Sequence, residues 1–279
     1  MTNLSWMTDI HLDMVGNLSD RLIQLSEKSR ESEAIIITGD ISIANLLCEH
    51  LLILESYFQK QIYFILGNHD YYGSNVFSVR KNVSNLCMKS SYLRYLCNVP
   101  FIKLNETGTY LIGHDGWYDA QNGHPYNDSL LMNDWLQISD FNSALRAAPG
   151  GKVLNKNVIM DISRRLAQQS VNHIANGIKS VIKHANHIVI MTHVPPFKES
   201  FTAFEHHSGN STMDILPWYT SKIMGDTIFS AAKTYPHVKF TVLSGHAHSH
   251  YDDDLLNNLN VKIGKSTYGN PQITNLAII

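Results

Sequence analysis

Five short stretches concentrate the side chains able to do chemistry: TDIHLD (8–13), IIITGDIS (35–42), FILGNHDYY (64–72), VIMTHVPPF (189–197) and LSGHAHSH (243–250). Each sets polar residues at or just past the end of an apolar run. They are Asp9 and His11, Asp40, Asn68 with His69 and Asp70, His193, and His246 with His248. Carboxylate, amide and imidazole together suit hard-to-borderline divalent cations such as Mn, Fe, Zn, Ni or Co, and the lack of a neighbouring Cys disfavours a soft thiolate site. Singly, each stretch has a plainer reading. Gly39-Asp40 also describes a turn or a helix N-cap, and a lone His193 also describes a satisfied core histidine. The case rests on all five occurring in one chain, which is also rich in histidine, with 15 among 279 residues.

The elements that must position these side chains are legible as short apolar runs. AIIIT (34–38), IYFIL (62–66), HIVIMT (187–192) and VKFTVLS (238–244) are near-continuous rather than alternating, as in strands covered on both faces, and YLIG (110–113) adds another. Helical spacing of Leu18, Leu22 and Leu25 and the dense apolar segment 45–59 alternate with the early strands. The first third therefore reads β-α-β-α-β, the signal for a mostly parallel sheet in an α/β fold. In such sheets ligands bind at the carboxyl ends of the strands, where all five stretches lie. A long helix is expected over about 155–184, capped by Asn155. Segments 114–152 and 197–222 fit neither pattern, and loops of that length in a compact domain carry function or are disordered.

Composition narrows the class. The net charge is −2 with no block of Lys or Arg, so no clustered basic footprint marks a stable nucleic-acid partner or an anionic membrane surface. The three cysteines have no CxxC spacing, which suits a reducing compartment. The N-terminus lacks the basic and apolar regions of a signal peptide, and no apolar run reaches the ~18 residues that span a bilayer. The expectation is a soluble, cytoplasmic protein of one domain, residues 1–279, with specificity insertions near 114–152 and 197–222. Its oligomeric state is not legible.

In order and spacing, D-x-H (9–11), G-D (39–40), G-N-H-D (67–70), His193 and G-H-x-H (245–248) resemble the calcineurin-like metallophosphoesterase family across the whole domain. The resemblance implies a four-layer α/β sandwich, two facing mixed β-sheets flanked by helices, with a binuclear metal centre at one end. It assigns Asp9, His11, Asp40 and His248 to one divalent ion, and Asp40, Asn68, His193 and His246 to the other. Asp40 would bridge. Two such ions roughly 3.5–4 Å apart can hold a bridging hydroxide as nucleophile and offset charge developing on a phosphoryl group. His69 would help the leaving oxygen depart as proton donor or charge stabiliser, oriented by Asp70. His250 has no family role, and Asp13, Asp115 and Asp119 are expected to be bystanders.

Departures from family patterns narrow the substrate. The Asp-Arg pair of the protein phosphatases is absent after Gly39-Asp40, and Ile43 stands where purple acid phosphatases carry a ligating Tyr. What remains is a hydrolase acting on a phosphomonoester or phosphodiester of a small metabolite or nucleotide. A nuclease on short or single-stranded nucleic acid, or a non-catalytic docking module with a decayed metal site, are the alternatives. Trp117, Tyr118, Tyr126, His206, His207 and Trp218 in the two unassigned segments either stack on a substrate ring or pack among themselves.

Overall fold

The computed structural model describes residues 2–127, 130–148, 151–201 and 211–278. One sheet contains β1 (Thr2–Met7), β2 (Ala34–Thr38), β3 (Gln61–Ile65) and β4 (Leu93–Tyr95), all parallel, with β13 (Thr274–Ile278) antiparallel beside β1. The other has the order β11-β12-β10-β9-β6-β5, from β5 (Ile102–Lys103), β6 (Thr109–His114), β9 (His187–Thr192), β10 (Lys239–Ser244), β11 (Tyr251–Leu256) and β12 (Leu259–Ile263). Its four central strands are parallel and its two edge strands antiparallel. A small hairpin, β7 (Leu145–Ala148) with β8 (Gly151–Leu154), stands apart.

The unbroken apolar runs follow from burial on both faces. In β2, Ala34 and Ile36 point between the sheets, while Ile35 and Ile37 point outward into a helical layer. In β9, Val189 and Met191 face inward while Ile188 and Ile190 face the opposite helices. Period-two alternation is present, but apolar residues occupy both phases, so the alternation is invisible in the sequence. The outer layers are α1 (Leu18–Lys28), α2 (Leu47–Phe58) and α3 (Val76–Cys87) on the first sheet, and α5 (Lys156–Val181) with α7 (Lys222–Thr234) on the second. These are the two mixed sheets flanked by helices that the resemblance implied.

Asn155 caps α5 as expected, its side-chain oxygen accepting the Asn157 amide at 3.1 Å. The segments without a sequence pattern contain α4 (Asn133–Gln137) and α6 (Thr212–Tyr219). Trp117, Tyr118 and Trp218 are buried there, so they serve the core and are not exposed platforms for a substrate ring. Trp135 meets Trp218 edge to face at 4.8 Å, and its Nε1 donates to the Tyr118 hydroxyl at 3.2 Å. Tyr126 is exposed, and His206 and His207 lie outside the described residues. Among the described residues no helix is long and apolar enough to cross a membrane.

Candidate metal centre

The loops after β1, β2, β3, β9 and β10 converge at one end of the sandwich. Main-chain bonds tie them: the Asp9 amide donates to Gly39 O, His11 to Asp40 O, and Gly245 to His193 O, each at 3.0 Å. The crowding requires glycine where backbone meets side chain. A Cβ on Gly67 would run into the Asp40 carboxylate, and one on Gly245 into Asp9 and Thr8.

Backbone strain is concentrated here. Asp9, His11, Asp40, His246 and His248 have φ of 48°, 39°, 51°, 64° and 50°, and only Gln59 and Ala120 share that region among the described non-glycine residues. Left-handed conformation costs of order 1 kcal/mol or more per residue and persists where surrounding structure imposes it, typically at functional sites.

The side chains form two groups around one carboxylate. Asp9, His11, Asp40 and His248 each bring a ligand-type atom within 4.8 Å of all the others. His248 Nε2 lies 3.3 Å from Asp9 Oδ1 and 3.4 Å from His11 Nε2, which is 3.8 Å from Asp40 Oδ2. On the other side, Asp40 Oδ1 is 3.3 Å from His193 Nε2. Asn68 Oδ1 lies 2.9 Å from that same nitrogen and 3.0 Å from His246 Nδ1. Asp40 thus offers one oxygen to each group.

Neighbours fix which imidazole nitrogen faces inward. His193 Nδ1–H donates to Thr38 O at 2.8 Å, leaving Nε2 for the centre. His246 reverses this: Nε2–H points to Trp218 O at 3.3 Å, leaving Nδ1. Asp9 is held by the His246 amide on Oδ1 and the Thr8 hydroxyl on Oδ2, at 2.9 and 2.5 Å.

Packing these groups together shifts their titration. Burial opposes charge on His193, but the Asp40 carboxylate outweighs it and raises the ring to about 10. Burial lowers His246 to about 4, helped by the His193 charge, and lowers His11 to about 4. Despite burial, the facing imidazoles hold Asp40 well below the usual carboxylate range. Three oxygen-bearing and four imidazole side chains, with carboxylates already poised as anions, fit a pair of divalent cations, which would displace the His193 proton.

His69 stands at the edge. Its backbone amide donates to Asp40 Oδ1 at 2.8 Å, while its ring lies between Tyr72 and His11, with centroids 4.3 and 4.6 Å away. Asp70 departs from expectation. It does not orient His69: Oδ1 accepts the Ile41 and Ser42 amides at 2.9 and 2.8 Å, and Oδ2 accepts the Gly67 amide at 2.8 Å. It clasps the loop after β2 to the loop after β3, and ring contacts, tilted against Tyr72 and edge-on to His11, hold His69 instead. His250 is exposed.

Three expected bystanders divide. Asp115 accepts from the Leu66 amide, the Tyr71 and Tyr95 hydroxyls and Arg80 Nε at 2.8, 2.5, 2.6 and 2.9 Å. Cys97 and His114 lie near it, but the paired guanidinium makes this a closed ion-pair network rather than a cation site. Asp119 accepts the Ile223 amide at 2.7 Å at the start of α7, and Asp13 lies just past His11, outside both groups.

A cavity of about 270 Å³ opens over the centre, lined by Asp40, His69, Tyr72, Asp134, Tyr219 and Tyr268 among others. Sequence reasoning missed Asp134, Tyr219 and Tyr268, which belong to no motif. Tyr72 stands two residues after the G-N-H-D run, which is the one signal available.

A family model, calcineurin-like phosphoesterase, matches residues 6–250. The chain belongs to the calcineurin-like phosphoesterase family, and so is a hydrolase of phosphoric esters. No curated protein matches it in sequence. Among solved structures it is similar to a phosphopantetheinyl hydrolase from Mycobacterium tuberculosis, with a TM-score of 0.69 at 13% identity, covering 96% of this chain and 90% of that one. It is also similar to a dimetal phosphatase from Danio rerio, with a TM-score of 0.55 at 11% identity, covering 96% and 88%. At such identities the likeness shows the fold.

Proposed function

We propose that Asp9, His11, Asp40 and His248 hold one divalent ion, that Asp40, Asn68, His193 and His246 hold a second, and that the chain hydrolyses a phosphomonoester or phosphodiester of a small metabolite or nucleotide. The observation that carries this reading is Asp40, with Oδ1 3.3 Å from His193 and Oδ2 3.8 Å from His11. Bound there, two divalent ions supply an activated nucleophile and positive charge for the phosphoryl oxygens. The chain's own residues do the rest. Asp40 keeps the two groups together, Asp70 fixes the loops that present Asp40 and Asn68, and His69 faces the cavity, where its ring can donate a proton to the departing oxygen.

The cavity supports a small substrate. Its volume is about 270 Å³, and none of the described residues lining it is Lys or Arg. A nuclease tracks a polyanion with a basic groove, which disfavours that alternative. A docking module with a decayed centre would have lost ligands, and all seven are present. Leu130–Asp134 from the first unassigned segment form one wall, supporting a role for that segment in specificity. The three unpaired cysteines support a reducing, cytoplasmic setting.

The test is reconstitution of metal-free protein with Mn, followed by elemental analysis and assay on a panel of monoesters, diesters, cyclic nucleotides and dinucleoside polyphosphates. Two ions per chain and turnover of at least one ester are expected, and Asp40→Asn should weaken both ions and abolish turnover. Wild-type protein that binds no more than one ion, or that hydrolyses nothing in the panel, overturns the reading.

A further inference from the structure

Asp134 reaches the centre from α4, outside every motif. Its carboxyl group is buried, with 1% exposure for the residue. Oδ1 accepts two hydrogen bonds, from Asn68 Nδ2 at 2.8 Å and from the Tyr72 hydroxyl at 2.6 Å.

Asn68 is the one ligand of the proposed set whose side chain, turned the wrong way round, would present N–H donors to a cation. Its amide carries an acceptor oxygen at one end and two N–H donors at the other, and the terminal torsion is soft and nearly two-fold. Only the oxygen can serve a cation. A carboxylate beside one end removes the ambiguity. Facing Asp134, the N–H end makes a charge-assisted bond, whereas the flipped amide would set two acceptor oxygens about as close as the present 2.8 Å contact. The oxygen end is thereby turned to His193 Nε2 and His246 Nδ1, at 2.9 and 3.0 Å.

We infer that Asp134 is a positioning residue that sets the Asn68 amide oxygen toward the second ion. The inference rests on the binuclear reading and deepens it. The same carboxylate oxygen holds Tyr72, whose ring lies against His69 at 4.3 Å. One residue therefore steadies both a ligand and the ring packed on the candidate acid.

The rest of the segment explains how a short helix does this. Trp135, next in the chain, is locked between the Tyr118 hydroxyl and Trp218. All three aromatic side chains are fully buried. They anchor α4, and α4 aims Asp134.

The experiment is Mn titration of metal-free protein, reading ions bound per chain and their affinities without recourse to turnover. Wild type should bind two ions. Asp134→Leu should keep the ion held by Asp9, His11 and His248 and weaken the second by about 10–100-fold, the usual effect of losing a residue that orients a ligand. Asp134→Asn keeps an acceptor oxygen and should retain most of the affinity. An Asn68→Asp background inverts the sign. Both ends of that side chain are then acceptors, Asp134 repels it, and adding Asp134→Leu should tighten the second ion. A role confined to packing predicts weakening in both backgrounds. Equal binding of the second ion by wild type and Asp134→Leu, or weakening in both backgrounds, overturns the inference while leaving two ions in wild type. Should Asp134→Leu not fold, Asp134→Asn in the Asn68→Asp background is read instead: it removes the repulsion and should tighten the second ion, and no tightening overturns the inference. Wild type with fewer than two ions overturns the binuclear reading as well.

Discussion

Replacing Asp70 by Asn separates two roles for the same carboxylate. In the structure it takes three backbone amides, from Ile41, Ser42 and Gly67, and so joins the loop that presents Asp40 to the loop that presents Asn68 and His69. Burial and the neighbouring Asp40 charge push this carboxyl up, against the pull of the Gly67 and Ser42 amides. Three donors converge on it, so a proton there would face hydrogens rather than an acceptor; the group serves as an acceptor only. An asparagine can place its oxygen on Ile41 and Ser42, but its NH2 then faces the Gly67 N–H. One buried amide loses its acceptor, at about 1–3 kcal/mol, and two charge-assisted bonds become neutral ones, at roughly 1 kcal/mol each. The sum is about 3–5 kcal/mol.

For a chain of this size, about 2–4 °C per kcal/mol gives a fall in melting temperature on the order of 10 °C for Asp70→Asn. Turnover should fall with it, because both loops are released. Differential scanning calorimetry of metal-free protein isolates the stability effect from ion binding. His69→Asn is the control: it keeps the backbone amide bond to Asp40 and loses only the ring contacts and a 3.9 Å approach of Nε2 to Asp40, so its melting temperature should fall clearly less than that of Asp70→Asn. If Asp70→Asn melts with wild type and loses only as much turnover as His69→Asn, Asp70 acts through the His69 ring and the clasp argument is refuted.

Two further outcomes follow from the same geometry. His69→Asn should retain both ions by elemental analysis, yet lower turnover by roughly 10²–10⁴ on alkyl esters and less on p-nitrophenyl esters, whose leaving group needs little protonation; equal losses on both would refute the acid role. Asp115→Asn should cost about 3–5 kcal/mol by calorimetry, since it strands Arg80 and two buried tyrosine hydroxyls. The Arg80 charge holds Asp115 well below the usual carboxylate range despite burial. Its folded pKa lies below its unfolded one, so the stabilisation is complete above about pH 4 and declines as acid protonates it. A melting curve for Asp115→Asn that tracks wild type from pH 7 down to pH 3 would contradict this.

The central strands and the candidate ligand residues were legible because their signals are local. β2 and β9 are apolar in both phases, and each is followed within two residues by a metal-competent side chain, Asp40 or His193. What the sequence hid is tertiary in origin. Asp70 sits inside the motif, but two of its three partners are main-chain amides 28 and 29 residues away, so nothing in G-N-H-D distinguishes a clasp from a partner for the adjacent imidazole. Trp117, Tyr118 and Trp218 look alike as core or as platform until burial is known, because both uses favour large rings.

Asp134 is the clearest case of what spacing cannot carry. It lies 66 residues from Asn68, in a segment whose pattern matches neither helix nor strand. Its effect depends on which end of a nearly symmetric amide it meets. The motif specifies that an asparagine stands at position 68; the orientation of that asparagine is supplied from elsewhere in the chain. Segment 114–152 therefore does more than border the cavity: through Asp134 it reaches Asn68 of the proposed ligand set, and changes there should move metal binding and ester preference together.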